Sequence, residues 1–321
     1  MTLGEAYRAG RGLLERAGNE SASFDAGCLF RKAFGLGRQQ RILRAAEPAD
    51  GGKAREYLSL IRERAAGRPL QYILGEWPFL GLTLRVGEGV LIPREETELL
   101  VRTAAELLKG AGPRPFAADL GAGSGAAALG LASLLPGARV AALEKYPPAL
   151  SFLRENIART GAAGVTAVEA DMLDPASAAR LPAPDGVISN PPYVREGELP
   201  FLQEEVRREP REALCGGPDG LEFYRAIAEI WLPRLKPGGV AAVEVGDGQA
   251  EAVRALFSGA LEDLSVRKDF NGVARVVSGR RRQSRQSRFR PAAERGGSRR
   301  LCVPGRKGEA PGRDRAGREL P

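Results

Sequence analysis

Along the first 70 positions apolar residues recur at helical spacing. Leu3, Ala6, Tyr7 and Leu14 fall near one face of a first helix, and Tyr57, Leu58, Ile61 and Ala65 do so in a later one. Gly18, Gly35, Gly37 and the Gly51-Gly52 pair punctuate them, so residues 1–70 are predicted to form a small helical domain. From Pro69 to Pro93 the pattern shifts to short apolar pieces separated by glycines: Tyr72-Ile73-Leu74, Leu82-Thr83-Leu84 and Val90-Leu91-Ile92. That shift predicts a hairpin linker over 71–92. Pro93 then opens an acidic first turn, Glu95-Glu96-Thr97-Glu98, ahead of Leu99, Leu100, Ala104, Leu107 and Leu108, which is a helix start.

After Pro115 strand-length apolar runs alternate with helical stretches. The runs are Phe116–Leu120, Arg139–Leu143, Val165–Val168, Gly186–Ser189 and Val240–Val245, and the helices lie around Gly125–Leu135, Pro147–Thr160 and Leu221–Leu235. Alternation of this kind predicts a doubly wound α/β domain over 93–279, with a mainly parallel sheet and ligands beyond the carboxyl ends of its strands. Leu264–Phe270 and Val273–Val277, joined by Asn271-Gly272, predict an antiparallel pair that closes the sheet. Residues 280–321 have few apolar positions and no periodicity, which predicts a disordered, Arg-rich tail.

Charge changes the picture in one respect. The net charge of +8 invites a nucleic-acid reading, but residues 280–321 carry 14 basic and 4 acidic side chains, whereas residues 1–279 carry 34 basic and 36 acidic. The excess belongs to the tail, and the folded part has no global surplus for a polyanion. An RNA contact is therefore expected of the tail alone, if of any segment. No apolar run approaches the roughly 20 residues of a membrane span, so a cytoplasmic protein is expected. Three scattered cysteines suggest neither a disulfide framework nor a metal site. The chain contains no histidine, which excludes imidazole-dependent nucleophilic catalysis.

Two motifs carry candidate chemistry. The first is Asp119-Leu120-Gly121-Ala122-Gly123-Ser124-Gly125-Ala126, where the first strand of the α/β domain meets a helix. Glycines there let the backbone turn and approach a ligand without a Cβ clash. Glu144, ending the next strand, is placed to accept from both ribose hydroxyls of an adenosine, and Asp171, after the third, from an adenine amino group. Gly121, Gly123 and Ala126 also satisfy the dinucleotide pattern G-x-G-x-x-A, so a nicotinamide enzyme remains open on this loop alone. The second motif decides between them. Asn190-Pro191-Pro192-Tyr193 follows the fourth strand, and its double proline forces the chain out of the sheet above the edge that holds the glycine loop.

An amide nitrogen is a poor nucleophile because its lone pair is delocalised, whereas a sulfonium methyl is already activated. Side-chain oxygen from Asn190 and the Pro191 carbonyl, accepting two N–H hydrogens, would aim such a nitrogen and stabilise its developing positive charge, with Tyr193 packed against the planar group. No metal is called for.

On these residues the chain resembles class I methyltransferases, and more closely the HemK/PrmC-type peptide-chain-release-factor glutamine methyltransferases. The likeness spans roughly residues 1–279 and also rests on Pro69-Leu70-Gln71-Tyr72-Ile73-Leu74-Gly75, on Leu91-Ile92-Pro93-Arg94 with Glu96-Thr97-Glu98, and on Phe270-Asn271-Gly272 leading into Arg275–Arg280. The resemblance implies a Rossmann-like seven-stranded catalytic domain, an N-terminal helical substrate-recognition domain and a β-hairpin linker. It implies S-adenosyl-L-methionine as cofactor and class I release factors as partners, with methylation of the glutamine in their Gly-Gly-Gln loop. Gly121 through Gly125, Glu144, Asp171, Met172 and Asn190 would hold the cofactor, and Asn190 through Tyr193 the glutamine. Asn190-Pro191-Pro192-Tyr193 is shared with enzymes that methylate base amines of DNA and RNA, and a ribosomal-protein glutamine methyltransferase fits the same chemistry. An adenosine-binding regulatory module would have no use for that motif opposite the glycine loop. Glu95 stands where the family usually has proline, and Glu144 where aspartate is usual.

Overall fold

The computed structural model describes residues 1–282, and the expectation for the tail lies outside the described residues apart from Arg280 to Arg282. Helix α1 (Leu3–Arg16) starts at a reciprocal cap: Glu5 N donates to Thr2 Oγ1 at 3.2 Å, and Thr2 N donates to Glu5 Oε2 at 2.8 Å. It packs with α2 (Ala22–Phe34) and α4 (Gly51–Ala65), and the short α3 (Arg38–Leu43) lies on the surface. Tyr57 fills the centre, edge-on to Phe30, and Gly10 makes room for it, since a Cβ there would meet the Tyr57 ring at 2.6 Å.

Two details of the connector differ from the sequence expectation. Tyr72-Ile73-Leu74 belongs to one helical turn, α5 (Leu70–Leu74), because Leu70 and Ile73 share a buried face and Gly75, at φ +78°, ends it in the left-handed region. The hairpin proper is β1 (Glu76–Phe79) with β2 (Leu82–Arg85), and Val90-Leu91-Ile92 pairs with no strand. Instead the Val90 carbonyl accepts from the buried Tyr72 hydroxyl at 2.6 Å, which fastens the linker to the helical domain.

Helix α6 (Glu95–Leu108) leads into a sheet of seven strands: β3 (Phe116–Leu120), β4 (Arg139–Glu144), β5 (Val165–Glu169), β6 (Gly186–Ser189), β7 (Val240–Glu244), β8 (Leu261–Lys268) and β9 (Ala274–Arg281). Their order is β5-β4-β3-β6-β7-β9-β8; the first five run parallel, and β9 is antiparallel to both neighbours. Helices α7 (Ala126–Leu134), α8 (Pro147–Thr160) and α12 (Ala250–Phe257) and two apolar layers, one per face, cover the sheet, and the short α9 (Pro175–Ala179) and α10 (Arg211–Leu214) lie in the segments before and after β6. This is the class I methyltransferase architecture. The strand order reverses beside β3, so a crevice opens between the ends of β3 and β6.

The closing strands run further than expected. Arg280 and Arg281, grouped with the tail by composition, pair with Glu262 and Leu261, and Arg281 N donates to the Gly239 carbonyl at 2.7 Å. Backbone pairing decides their place, and their side chains need not be buried for it. The expected helical stretch around Leu221–Leu235 is continuous but changes its winding: α11 (Glu222–Ala226) widens into a π turn at Ile227–Trp231 and closes on a 3-10 turn at Leu232–Arg234. Pro233 has no N–H to continue the ladder. Trp231, brought inward there, donates from Nε1 to the Met172 carbonyl at 2.8 Å.

Candidate active site at the carboxyl ends of the strands

The glycine loop leaves β3 with Gly121, Gly123 and Gly125 all at positive φ (71°, 55° and 87°). At Gly125 the cause is also packing, because a Cβ would meet Leu153 at 2.7 Å. At Gly121 the space ahead is open, with only the Met172 sulfur 3.7 Å from where a Cβ would stand. Ala122 N donates to the Leu143 carbonyl at 2.8 Å and holds the loop against β4. Buried Asn156 fastens its far side, donating to the Ser124 carbonyl at 2.9 Å and the Arg85 carbonyl at 3.0 Å.

Glu144 ends β4 with its carboxylate almost wholly buried. Its Oε2 accepts from Gly123 N at 2.9 Å, and its Oε1 accepts from Lys145 N and Tyr146 N at 2.8 Å each. Backbone donors therefore fix the acid in place.

A cleft of about 980 Å³, measured out to its open mouth, lies in front of these groups. Gly121, Ala122, Gly123, Ser124, Glu144, Asp171, Met172, Asn190 and Pro192 all line it. Gly125, Pro191 and Tyr193 are not among the lining residues; Gly125 caps the start of α7, and the Tyr193 carbonyl accepts from Gln249 Nε2. Asp171 is already engaged, with Oδ2 paired to Lys145 Nζ at 2.7 Å and Oδ1 accepting from Leu173 N at 2.9 Å. Partial burial works to raise its pKa, but the Lys145 ion pair and the Leu173 N–H outweigh that and hold it below the usual carboxylate range.

Several lining residues escape the sequence reading. Asp119 is buried at the end of β3, its Oδ2 has no hydrogen-bond partner, and burial pushes its carboxyl up to about 7, helped by the nearby Glu144 charge. Its position directly before the glycine loop is a signal that sequence could have used. Phe223, Pro210 and Ala213 line the cleft from the long segment between β6 and β7, for which no local pattern gives a clue.

That segment is tied down at two points. Glu209 is buried, accepts from Ile92 N at 2.9 Å and pairs with Arg94. Glu205 pairs with Arg64, a buried residue of α4 that also holds Asp25 Oδ2 at 2.6 Å. Glu95 occupies the first position of α6, where a family proline would equally fit, so the departure leaves the helix start and the Arg94 contact intact.

The Asn190-Pro191-Pro192-Tyr193 turn rises from β6, whose Ser189 hydroxyl donates to the Leu120 carbonyl at 2.7 Å across the crevice. Asn190 Nδ2 donates to Thr97 Oγ1 at 3.0 Å, and Thr97 Oγ1 donates to Glu244 Oε2 at 2.7 Å. Both Thr97 and Glu244 are buried. Burial pushes Glu244 up to about 7, against the pull of the Thr97 hydrogen bond. The Tyr193 hydroxyl is pushed up to about 12, again chiefly by burial. Among the described residues no group of His, Cys, Asp and Glu is arranged to hold a metal.

Comparison with known proteins gives the chain's family. Residues 5–75 match the model of the PrmC N-terminal domain, and residues 95–215 that of the methyltransferase small domain. A release factor glutamine methyltransferase from Geobacter sulfurreducens is 40% identical over 272 residues, covering 84% of this chain and 93% of that protein. Another from Moorella thermoacetica is 39% identical over 286 residues, covering 88% and 98%. Among solved structures, the hMettl16 catalytic domain in complex with a MAT2A 3′UTR hairpin aligns with a TM-score of 0.51 at 14% identity, covering 72% of this chain and 82% of that one, a likeness of fold. At such identity over nearly the whole length of its relatives, the chain belongs to the release factor glutamine methyltransferase family.

Proposed function

We propose that the protein transfers a methyl group from S-adenosyl-L-methionine to the side-chain amide nitrogen of the glutamine in the Gly-Gly-Gln loop of class I peptide chain release factors, in the cytoplasm. The observation that carries this reading is Asn190: its Nδ2 is committed to Thr97, so its Oδ1 is left to accept at the cleft. An acceptor at the cleft that the glycine loop and Glu144 line is what an incoming amide N–H requires.

The residues fit the cofactor. Glu144 Oε2 keeps a lone pair for a ribose hydroxyl, the unpartnered Asp119 Oδ2 suits the cationic portion, and Met172, Phe223 and Leu143 offer apolar surface to the base, with Asp171 at its edge. Gly121, Ala122, Gly123 and Ser124 let it approach the backbone, and Gly125 shapes the loop. Once bound, the cofactor supplies an electrophilic methyl on a sulfonium. The protein then has to orient the amide and stabilise positive charge on its nitrogen. Asn190 Oδ1 would accept one N–H and, by the family pattern, the Pro191 carbonyl the other; the proton that the nitrogen sheds on methylation is released to water. Pro192 closes the wall, and the Tyr193 carbonyl anchors the turn through Gln249. In this reading residues 1–70 recognise the substrate, 71–92 link, and 93–279 catalyse.

Incubation with labelled S-adenosylmethionine and a purified release factor, ribosomal protein, DNA or RNA, followed by locating the label, tests the assignment. Label on the release-factor glutamine is expected. Label on a ribosomal protein or on a base would replace the substrate while leaving the chemistry.

A further inference from the structure

The geometry points to Thr97 and Glu244 as positioning residues that set which end of the Asn190 amide faces the substrate. This rests on the reading that Asn190 accepts the substrate N–H.

A side-chain amide has a donor end and an acceptor end of nearly equal shape, so shape alone cannot choose between them. The hydrogen-bond chain does. An ionised Glu244 can only accept, so the Thr97 hydroxyl must spend its single hydrogen on Glu244 Oε2 (2.7 Å). Thr97 Oγ1 is thereby left with lone pairs alone toward Asn190, which must present Nδ2 to it (3.0 Å). Asn190 Oδ1 consequently faces the cleft. The three groups come from separate elements: the turn after β6, the first turn of α6 and the end of β7. Thr97 and Glu244 are 4% and 1% exposed, so water does not readily substitute for either.

The chain has a direction, and protonation of Glu244 reverses it. A neutral Glu244 can donate to Thr97, whose hydroxyl then turns its hydrogen to Asn190 Oδ1, and the amide presents N–H groups to a substrate that also brings N–H groups. The groups that bear on the Glu244 charge are Glu96 and Arg94 at the start of α6, Tyr193 in the turn, Arg275 on β9 and Tyr224 on α11. Glu96 favours the neutral acid, and the two arginines favour the ionised one. The active form is the ionised one, so turnover is expected to fall on the acid side as Glu244 gains a proton.

Thr97→Val keeps the side chain's volume and removes the relay, and Thr97→Ser keeps the hydroxyl. We expect Thr97→Val to lower kcat by about tenfold, the effect of losing one oriented hydrogen bond, with a smaller change in cofactor Kd; the thermal midpoint should also fall, because the buried Glu244 carboxylate loses its hydroxyl donor, so kcat is read below that midpoint. Thr97→Ser should stay within about threefold of wild type. In a double-mutant cycle under single turnover, Thr97→Val should add little to Asn190→Ala, because its effect on turnover runs chiefly through Asn190. Glu244→Gln should flatten the acid limb of the pH profile. A measurement without turnover completes the set: the Asn190 side-chain NH2, assigned by its loss in Asn190→Ala, should exchange slowly with solvent in wild type and Thr97→Ser and faster in Thr97→Val. If Thr97→Val leaves both kcat and that exchange unchanged, or multiplies the Asn190→Ala defect, the relay is wrong. Were no glutamine methylated by the wild type, the exchange result would still stand or fall by itself.

Discussion

Gln249, just ahead of α12, donates from Nε2 to the Tyr193 carbonyl at 2.9 Å while its Oε1 accepts from Gly246 N at 3.0 Å. One side chain thus joins the turn after β6 to the turn after β7. Around the same carbonyl the glycines of the Cys215–Gly220 loop come close: a Cβ on Gly216 would stand 2.7 Å from the Pro192 carbonyl oxygen, and one on Gly220, at φ +74°, would overlap the Tyr193 oxygen. Where Asn190 stands therefore depends on residues that touch no ligand.

Gln249→Leu is expected to leave the Tyr193 carbonyl and the Gly246 N–H without partners in a buried place, at about 1–3 kcal/mol of stability. Methyl transfer should fall more steeply than cofactor affinity, since the displaced part is the amide grip. Urea unfolding beside steady-state kinetics checks this, and an unchanged kcat would show that the turn holds itself.

Asn190→Ala should cost about 3–4 kcal/mol in the transition state, on the order of a hundred- to a thousandfold in turnover, with a much smaller loss of cofactor binding. Asn190→Asp keeps an acceptor but cannot donate to Thr97. Near wild-type methylation of the glutamine by Asn190→Ala would reduce the motif to a structural turn.

Cofactor affinity should depend on pH through Asp119. Its carboxyl, held up at about 7 chiefly by burial, is partly neutral near that pH, and a cationic ligand favours the ionised form. Binding then releases a proton, so affinity should rise as pH increases through 7 and level off above it. Calorimetric titration at pH 6 and pH 8 reads this directly. Asp119→Asn should bind more weakly and lose most of the pH dependence; a pH-independent wild type would place the cation elsewhere.

Arg64 and Glu205 are expected to behave unequally. Removing Arg64 as Arg64→Ala leaves buried Asp25 without its cation, which should cost about 3–5 kcal/mol. Glu205 is half-exposed, and Glu205→Ala should cost about 1 kcal/mol or less in stability. Because Glu205 lies on the segment that brings Pro210 and Ala213 to the cleft, its loss should show in cofactor Kd before it shows in the thermal midpoint.

Strand and helix alternation, the glycine loop, Glu144 and the double-proline turn are legible in the sequence, because each depends on short-range physics: side-chain periodicity, φ freedom, or a missing N–H. The same local logic placed nine of the twelve candidate ligand residues on one cleft, since strand ends of a parallel sheet converge whatever the loops between them do. It misplaced Tyr72-Ile73-Leu74 and the ends of β8 and β9, where burial or pairing with a distant partner outweighed local pattern. Thr97, read from the sequence only as part of an acidic helix start, meets Asn190 across 93 positions and Glu244 across 147. Arg64 meets Glu205 across 141. Such pairs leave no periodic trace, because what joins them is the packing of whole elements against one another; tertiary structure alone decided which end of the Asn190 amide looks into the cleft.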